Sequence, residues 1–176
     1  MSHRGFSLFE LMFTLAIAVI IAFAGVPAMG WLVLDARLTA DVNAFVTSIQ
    51  LARSESAKRG GSVVVCKTAD DRVCGGTAVH YETGWMVFVD EDDDDPPEVD
   101  GNESVLWSYR PAAEGTIRSN RSRYVFSPYY RRSTNGTVTF CDSRGAAAAR
   151  AVIVSYTGRP RASDRGPGGR KLECVT

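Results

Sequence analysis

Residues 4–35 read RGFSLFELMFTLAIAVIIAFAGVPAMGWLVLD, and this stretch decides the fold. From Leu11 to Leu34 there are 24 positions without a charge. About 20 apolar residues cross a bilayer core as an α-helix, so the run is long enough to span a membrane. Arg4 precedes it and Asp35 follows it. Positive charge is retained on the cytoplasmic side, which predicts a short cytoplasmic N-terminus and a large domain outside. Glu10 lies at the edge of the apolar run. An ionised carboxylate is costly in lipid, so a residue of this kind points to a function.

A removable signal peptide is the competing reading, because Ala22-Phe23-Ala24 has the small-residue spacing of a cleavage site. The pattern downstream argues against it. Leu34, Leu38, Val42, Phe45, Ile49 and Ala52 recur at helical spacing and form one apolar stripe. A removable signal has no reason to continue in phase into a structural helix. The helix is expected to run to about Lys58 and to stop at Gly60-Gly61.

Beyond Gly61 the period changes to that of strands. Strands are expected at Ser62–Cys66, Trp85–Val89, Val105–Tyr109, Tyr124–Ser127, Thr137–Cys141 and Ala151–Tyr156. Turn residues separate them, including Gly75-Gly76, Pro96-Pro97, Gly101, Asn135-Gly136 and Gly145. One long helix followed by strands predicts an α+β fold, with the helix stripe buried against one face of an antiparallel sheet.

The four cysteines, Cys66, Cys74, Cys141 and Cys174, contain no CxxC pair, and His3 and His80 are the only histidines. Clustered zinc ligands are therefore missing from the sequence, and no metal or cofactor is expected. In an exported domain an even number of cysteines reads as disulfides, with three connectivities open. A Cys66–Cys74 bridge would staple a short loop and leave Cys141–Cys174 to pin the C-terminal tail.

Net formal charge is zero, but its distribution is uneven. Residues 61–109 carry two basic and twelve acidic side chains, whereas residues 110–176 carry thirteen basic and four acidic. Such asymmetry concerns partners rather than fold.

Arg4-Gly5-Phe6-Ser7-Leu8-Phe9-Glu10-Leu11 resembles the class III signal of type IV prepilins. The resemblance implies cleavage by a prepilin peptidase between Gly5 and Phe6 and methylation of the new N-terminus. It also implies that Glu10 pairs with a cation on a neighbouring subunit and that Pro27 is the helix-kinking proline. The chain divides accordingly into a leader (1–5), a long helix (6–60, with its membrane part at about 11–34) and a periplasmic β-rich domain (61–176) with a basic tail. Further pieces resemble the GspH/FimT group of minor pilins and pseudopilins. They are Ala52-Arg53-Ser54-Glu55-Ser56-Ala57, Val63-Val64-Val65-Cys66, Gly84-Trp85-Met86-Val87-Phe88-Val89-Asp90, Thr134-Asn135-Gly136-Thr137-Val138-Thr139-Phe140-Cys141-Asp142 and Gly158-Arg159-Pro160-Arg161. This resemblance implies a pilin fold, single-pass insertion in a bacterial inner membrane, and assembly with other pilins into a filament. Two assemblies remain open, a type IV pilus and a type II secretion pseudopilus.

In the FimT branch an arginine motif comparable to Arg159 and Arg161 is associated with DNA binding during natural transformation. Arg165, Arg170 and Lys171 follow it, and Arg131 and Arg132 are candidates to extend a patch for double-stranded DNA. Arginines on a loop or tail can grip phosphates without reading sequence. The alternatives are a solvated tail or a protein partner. Asp90–Asp95 is six consecutive acids. An EF-hand register starting there would need glycine at Asp95 and glutamate at Gly101, so a solvated loop or pairing with the basic half is the better reading. His80, placed in a strand, has no nucleophile in motif context, and no phosphate loop or dinucleotide fingerprint occurs. No enzymatic activity is expected.

Overall fold

Ser7 begins the described backbone, and the N–H of Glu10 donates to its Oγ at 3.3 Å. A serine at this position satisfies one of the free N–H groups of a helix start. From there a single helix, α1, runs Leu8–Arg59. The computed structural model describes residues 7–92, 98–101, 103–112, 115–128 and 133–174, excepting the side chains of 24–28. Gly5 and Phe6, Arg131 and Arg132, and the second half of the acidic run (93–95) therefore lie outside the described residues. So does the side chain of Pro27, although the helical backbone continues through that position.

The chain divides into two units, residues 1–37 and 38–176. In the first, Leu8, Phe9, Leu11, Met12, Phe13, Leu15, Ile17, Val19, Ile20, Ile21 and Phe23 are all exposed, as are Met29, Trp31, Leu32 and Val33. Among the described residues no helix is long and apolar enough to cross a membrane. The expected span at 11–34 includes residues 24–28, whose side chains are not described.

In the second unit the helical stripe is buried as its spacing requires. Leu38, Val42, Phe45, Ile49 and Ala52 are 5% exposed or less. The helix ends where Gly60 adopts φ +70°, a conformation that disfavours any side chain, and its N–H donates to Ser56 O at 2.9 Å.

Among the described residues eight strands follow: β1 (Ser62–Lys67), β2 (Trp85–Asp90), β3 (Val105–Tyr109), β4 (Thr116–Ser119), β5 (Arg123–Phe126), β6 (Gly136–Cys141), β7 (Arg150–Val154) and β8 (Pro160–Ser163). The expected single sheet is in fact two antiparallel four-stranded sheets, ordered β3-β2-β1-β5 and β4-β6-β7-β8. Strands β4 and β8 escaped the sequence reading. Thr116-Ile117-Arg118-Ser119 and Pro160-Arg161-Ala162-Ser163 are edge strands with little apolar alternation, so only pairing reveals them. His80 is not in a strand; it precedes a short 3₁₀ turn at Tyr81–Thr83.

Strand alternation explains why β1 and β2 are buried along their whole length. Val63, Val65, Trp85 and Val87 share the core with the helix stripe. Val64, Cys66, Met86 and Phe88 form a second cluster, with Cys74, Val99 and Val125 against it. The second sheet contributes Ile117, Val138, Phe140, Val152 and Val154 to the helix-side core. Phe45 links the two sheets. Its ring meets Tyr81, Trp85, Tyr124 and Phe140 edge-on, with centroids 5.5–6.0 Å apart. Edge-to-face contacts of this kind add to burial.

Candidate functional site

The four cysteines form two disulfides, Cys66–Cys74 and Cys141–Cys174, with sequence separations of 8 and 33. The second gives the basic tail its shape. Leu172 is buried against Cys141, Ala149 and Ala151, with Cys174 packed alongside. Gly166 N–H donates to Arg170 O at 2.8 Å, and Arg170 Nε donates to Pro167 O at 3.2 Å. Residues 164–174 are thus tied to the sheet rather than trailing free.

Arg159 and Arg161 are carried by a hairpin, not a loose loop. Strand β8 pairs with β7, with Ile153 opposite Arg161 and Val154 opposite Pro160. Ser155 N–H donates to Arg159 O at 3.1 Å, and Arg159 N–H returns a bond to Ser155 Oγ at 3.2 Å. Gly158, at φ +70°, makes the turn. A Cβ there would come 2.8 Å from the Phe126 ring and 3.0 Å from Ser133 Oγ, so both conformation and space require glycine. Arg159, Arg161, Arg165, Arg170 and Lys171 are all exposed.

The basic half falls into two populations. Arg110 meets Asp71 at 2.9 Å, Arg118 meets Glu82, and Arg144 meets Asp142 at 2.6 Å. Asp71 and Glu82 belong to the acidic segment, so part of the charge asymmetry is neutralised within the domain. Arg159, Arg161, Arg165 and Lys171, in contrast, form no ion pair among the described residues.

The hairpin also forms one wall of a groove of about 500 Å³ lined by Gln50, Arg53, Ser54, Ala57, Arg159 and Pro160. The four helix residues follow i, i+3, i+4, i+7 spacing and share one face. Sequence reasoning missed this site. Arg53 is adjacent to the core residue Ala52, and in the sequence it stands out only as part of the family-like segment Ala52–Ala57. The spacing from Gln50 to Ala57 is the signal that could have found it.

Carboxylates of Asp90, Asp92 and Glu103 lie within 4.8 Å of one another. Glu103 accepts the N–H of Glu91 at 2.6 Å and that of Asp100 at 3.4 Å, which gives it a loop-closing role. Asp41 on α1 accepts the Tyr109 hydroxyl at 2.8 Å. Burial raises the Asp41 carboxyl above its usual range, while the Tyr109 bond works in the opposite direction. Burial, then the bond and charge of Asp41, push the Tyr109 hydroxyl up to about 12. These groups belong to the packing between helix and sheet. Glu10 is exposed in the first turn of α1.

A family model described as type II transport protein GspH matches residues 41–158. The chain belongs to the GspH family. Two solved structures share the fold of this GspH-family chain, both of the type IV minor pilin FimU from Pseudomonas aeruginosa (strain PAO1). One, in space group P65, is 14% identical, covers 77% of this chain and 98% of its own, and has a TM-score of 0.52. The other, in P21, is 16% identical, covers 78% and 93%, and has the same TM-score of 0.52. No curated protein matches the chain. The matched range 41–158 takes in the helix stripe from Val42 and all strands through β7. It ends at Gly158, immediately before the arginines.

Proposed function

We propose that this GspH-family chain is a minor subunit of a type IV pilus, assembled through its N-terminal helix, with no catalytic role. The observation that carries the reading is the exposed apolar surface of residues 8–23 and 29–33, bearing one acid at Glu10. In water so large an apolar surface is unfavourable; in lipid, or against other helices, it is satisfied. The helix would occupy the inner membrane over residues 11–34, with residues 61–176 on the periplasmic side, before joining the filament. Cleavage after Gly5 by a prepilin peptidase would free and methylate the amine of Phe6. The amine of a neighbouring subunit is the natural counter-ion for Glu10, because an acid in lipid needs a cation. Pro27 lacks the N–H for a helix hydrogen bond and would allow the rod to bend during packing.

Mass spectrometry of the mature chain tests the first step. A methylated Phe6 terminus is expected, and a start at Gly25 would refute the proposal. Replacing Glu10 with alanine is expected to abolish incorporation into filaments; normal incorporation would remove the assembly role.

We further assign DNA contact to Arg159, Arg161, Arg165, Arg170 and Lys171, which are exposed and form no ion pair among the described residues. Arg131 and Arg132 remain candidates by position in the sequence. The full chain in neutral-detergent micelles should bind double-stranded DNA in a salt-dependent way, and Arg159→Ala with Arg161→Ala should weaken it. Absence of binding at low salt would exclude DNA capture. The description of the matched family favours a second reading, a pseudopilin of type II secretion. Complementation of a pilus-assembly mutant and a secretion mutant separates the two.

A further inference from the structure

The groove between α1 and β8 joins residues that are far apart in sequence. Gln50, Arg53, Ser54 and Ala57 come from the helix, Arg159 from the turn before β8 and Pro160 from its first position. The four helix side chains lie beside the buried stripe of Ile49, Ala52 and Ser56, on a face the core does not use. The lining offers two guanidinium groups, a carboxamide, a hydroxyl, a methyl group and a pyrrolidine ring.

Its charge is not locally compensated. The one acid in that part of the helix is Glu55, which is held by Arg59 at 2.7 Å and Lys58 at 3.4 Å. Arg53 and Arg159 form no ion pair among the described residues. The hairpin bonds between Ser155 and Arg159 fix the backbone on one side, and the helix fixes it on the other. Two arginines rooted on separate elements of one groove can each donate to a tetrahedral oxyanion placed between them.

We propose that this groove binds a phosphodiester of a nucleic-acid backbone, with Arg53 on the helix and Arg159 on the hairpin as paired anchors. The proposal rests on the DNA-contact reading above and adds a second element to it. A polyanion is favoured over an isolated carboxylate because further exposed cations follow Arg159 in β8 and in the tail after it. Arg161, Arg165 and Lys171 are exposed and likewise form no ion pair among the described residues. Repeated phosphates can meet such a series; a single acidic side chain fills only one position. Gln50 can donate to a non-bridging oxygen, the Ser54 hydroxyl already donates to Leu51 O at 2.9 Å, and Ala57 and Pro160 can pack against the sugar. None of these contacts reads sequence, so binding is expected to be sequence-independent.

The test uses the full chain in neutral-detergent micelles, a fluorescent DNA duplex of arbitrary sequence, and a fluorescent poly-glutamate of similar length. Arg53→Ala is compared with wild type, with Arg53→Lys and with Arg159→Ala across a salt series. Arg53 is exposed and outside the core, so thermal unfolding of the variants should match wild type. The expected result is a roughly three- to tenfold weaker DNA affinity in Arg53→Ala and a salt slope shallower by about one. Partial rescue by Arg53→Lys is also expected. DNA binding that is lost in Arg159→Ala but unchanged in Arg53→Ala would overturn the groove and leave the DNA-contact reading standing. Wild type that binds no DNA would overturn both. Wild type that binds poly-glutamate but not DNA, with loss in Arg53→Ala, would reassign the groove to an acidic protein partner.

Discussion

Trp85 donates its indole N–H to Ser48 Oγ at 2.7 Å, and neither residue is exposed to solvent. The bond joins the C-terminal quarter of α1 to the first residue of β2 within the helix-side core. Ser48 Oγ itself donates to Ala44 O at 3.0 Å, so one hydroxyl satisfies both its own proton and the indole. Ser48→Ala leaves the buried indole N–H without a partner. The expected loss is about 1–3 kcal/mol in urea unfolding. A cycle with Trp85→Phe should show coupling, because the serine matters mainly while the indole is present.

Phe45 packs against rings from both sheets and is 0% exposed. Phe45→Ala opens a cavity at the junction, for which about 3–5 kcal/mol is expected. Phe45→Leu should cost distinctly less. Equal costs for the two variants, measured by thermal unfolding, would contradict a tightly packed junction.

The two disulfides should not be equivalent. On chain entropy, closing 8 residues contributes about 2.5 kcal/mol and closing 33 about 3.7 kcal/mol. Paired Cys141→Ser and Cys174→Ser changes are therefore expected to destabilise more than Cys66→Ser with Cys74→Ser. They should also expose the tail to proteolysis near Leu172, whose packing the bridge supports.

Asp142 and Arg144 make a nearly buried ion pair, with side chains 6% and 10% exposed. The Arg144 hydrogen bonds hold the Asp142 carboxyl below the usual carboxylate range, against the effect of burial. A lowered carboxyl contributes stability above its unfolded value of 3.8 and loses it as pH falls through the folded value. The stability gap between wild type and Asp142→Asn should be full at pH 6 and shrink only below about pH 4. A gap that stayed constant down to pH 2 in denaturant titrations would contradict the assignment.

Gly158→Ala must accommodate φ +70° and a Cβ 2.8 Å from the Phe126 ring. A loss of about 1–3 kcal/mol is expected from strain and crowding together. Because this turn positions Arg159, DNA binding by the folded fraction should also weaken. Gel-shift titration against the Arg159→Ala variant checks this.

Most of the framework was legible because it depends on local periodicity. The stripe from Leu38 to Ala52 was readable as helix, and its buried face follows from 3.6-residue spacing. The six strands rich in Val, Phe and Trp were readable for the same reason at period two. Ser48 and Ser56 were not, since a buried serine differs from an exposed one only through its partner. Here those partners are Trp85 Nε1 and Gly61 O. Edge strands β4 and β8 carry polar and charged residues, so their identity depends on neighbours in the sheet. The arginine motif was visible as composition, but its attachment to a hairpin was not.

By itself the sequence determined one continuous helix, an antiparallel α+β class and an oxidisable set of four cysteines, because each follows from residue types at short, regular spacing. The tertiary structure alone decided the split into two sheets, the pairing of Cys141 with Cys174, and the placing of Arg53 and Arg159 along one groove. Those outcomes depend on contacts between residues tens to more than a hundred positions apart. Only packing of the whole domain around Phe45 fixes which distant residues become neighbours.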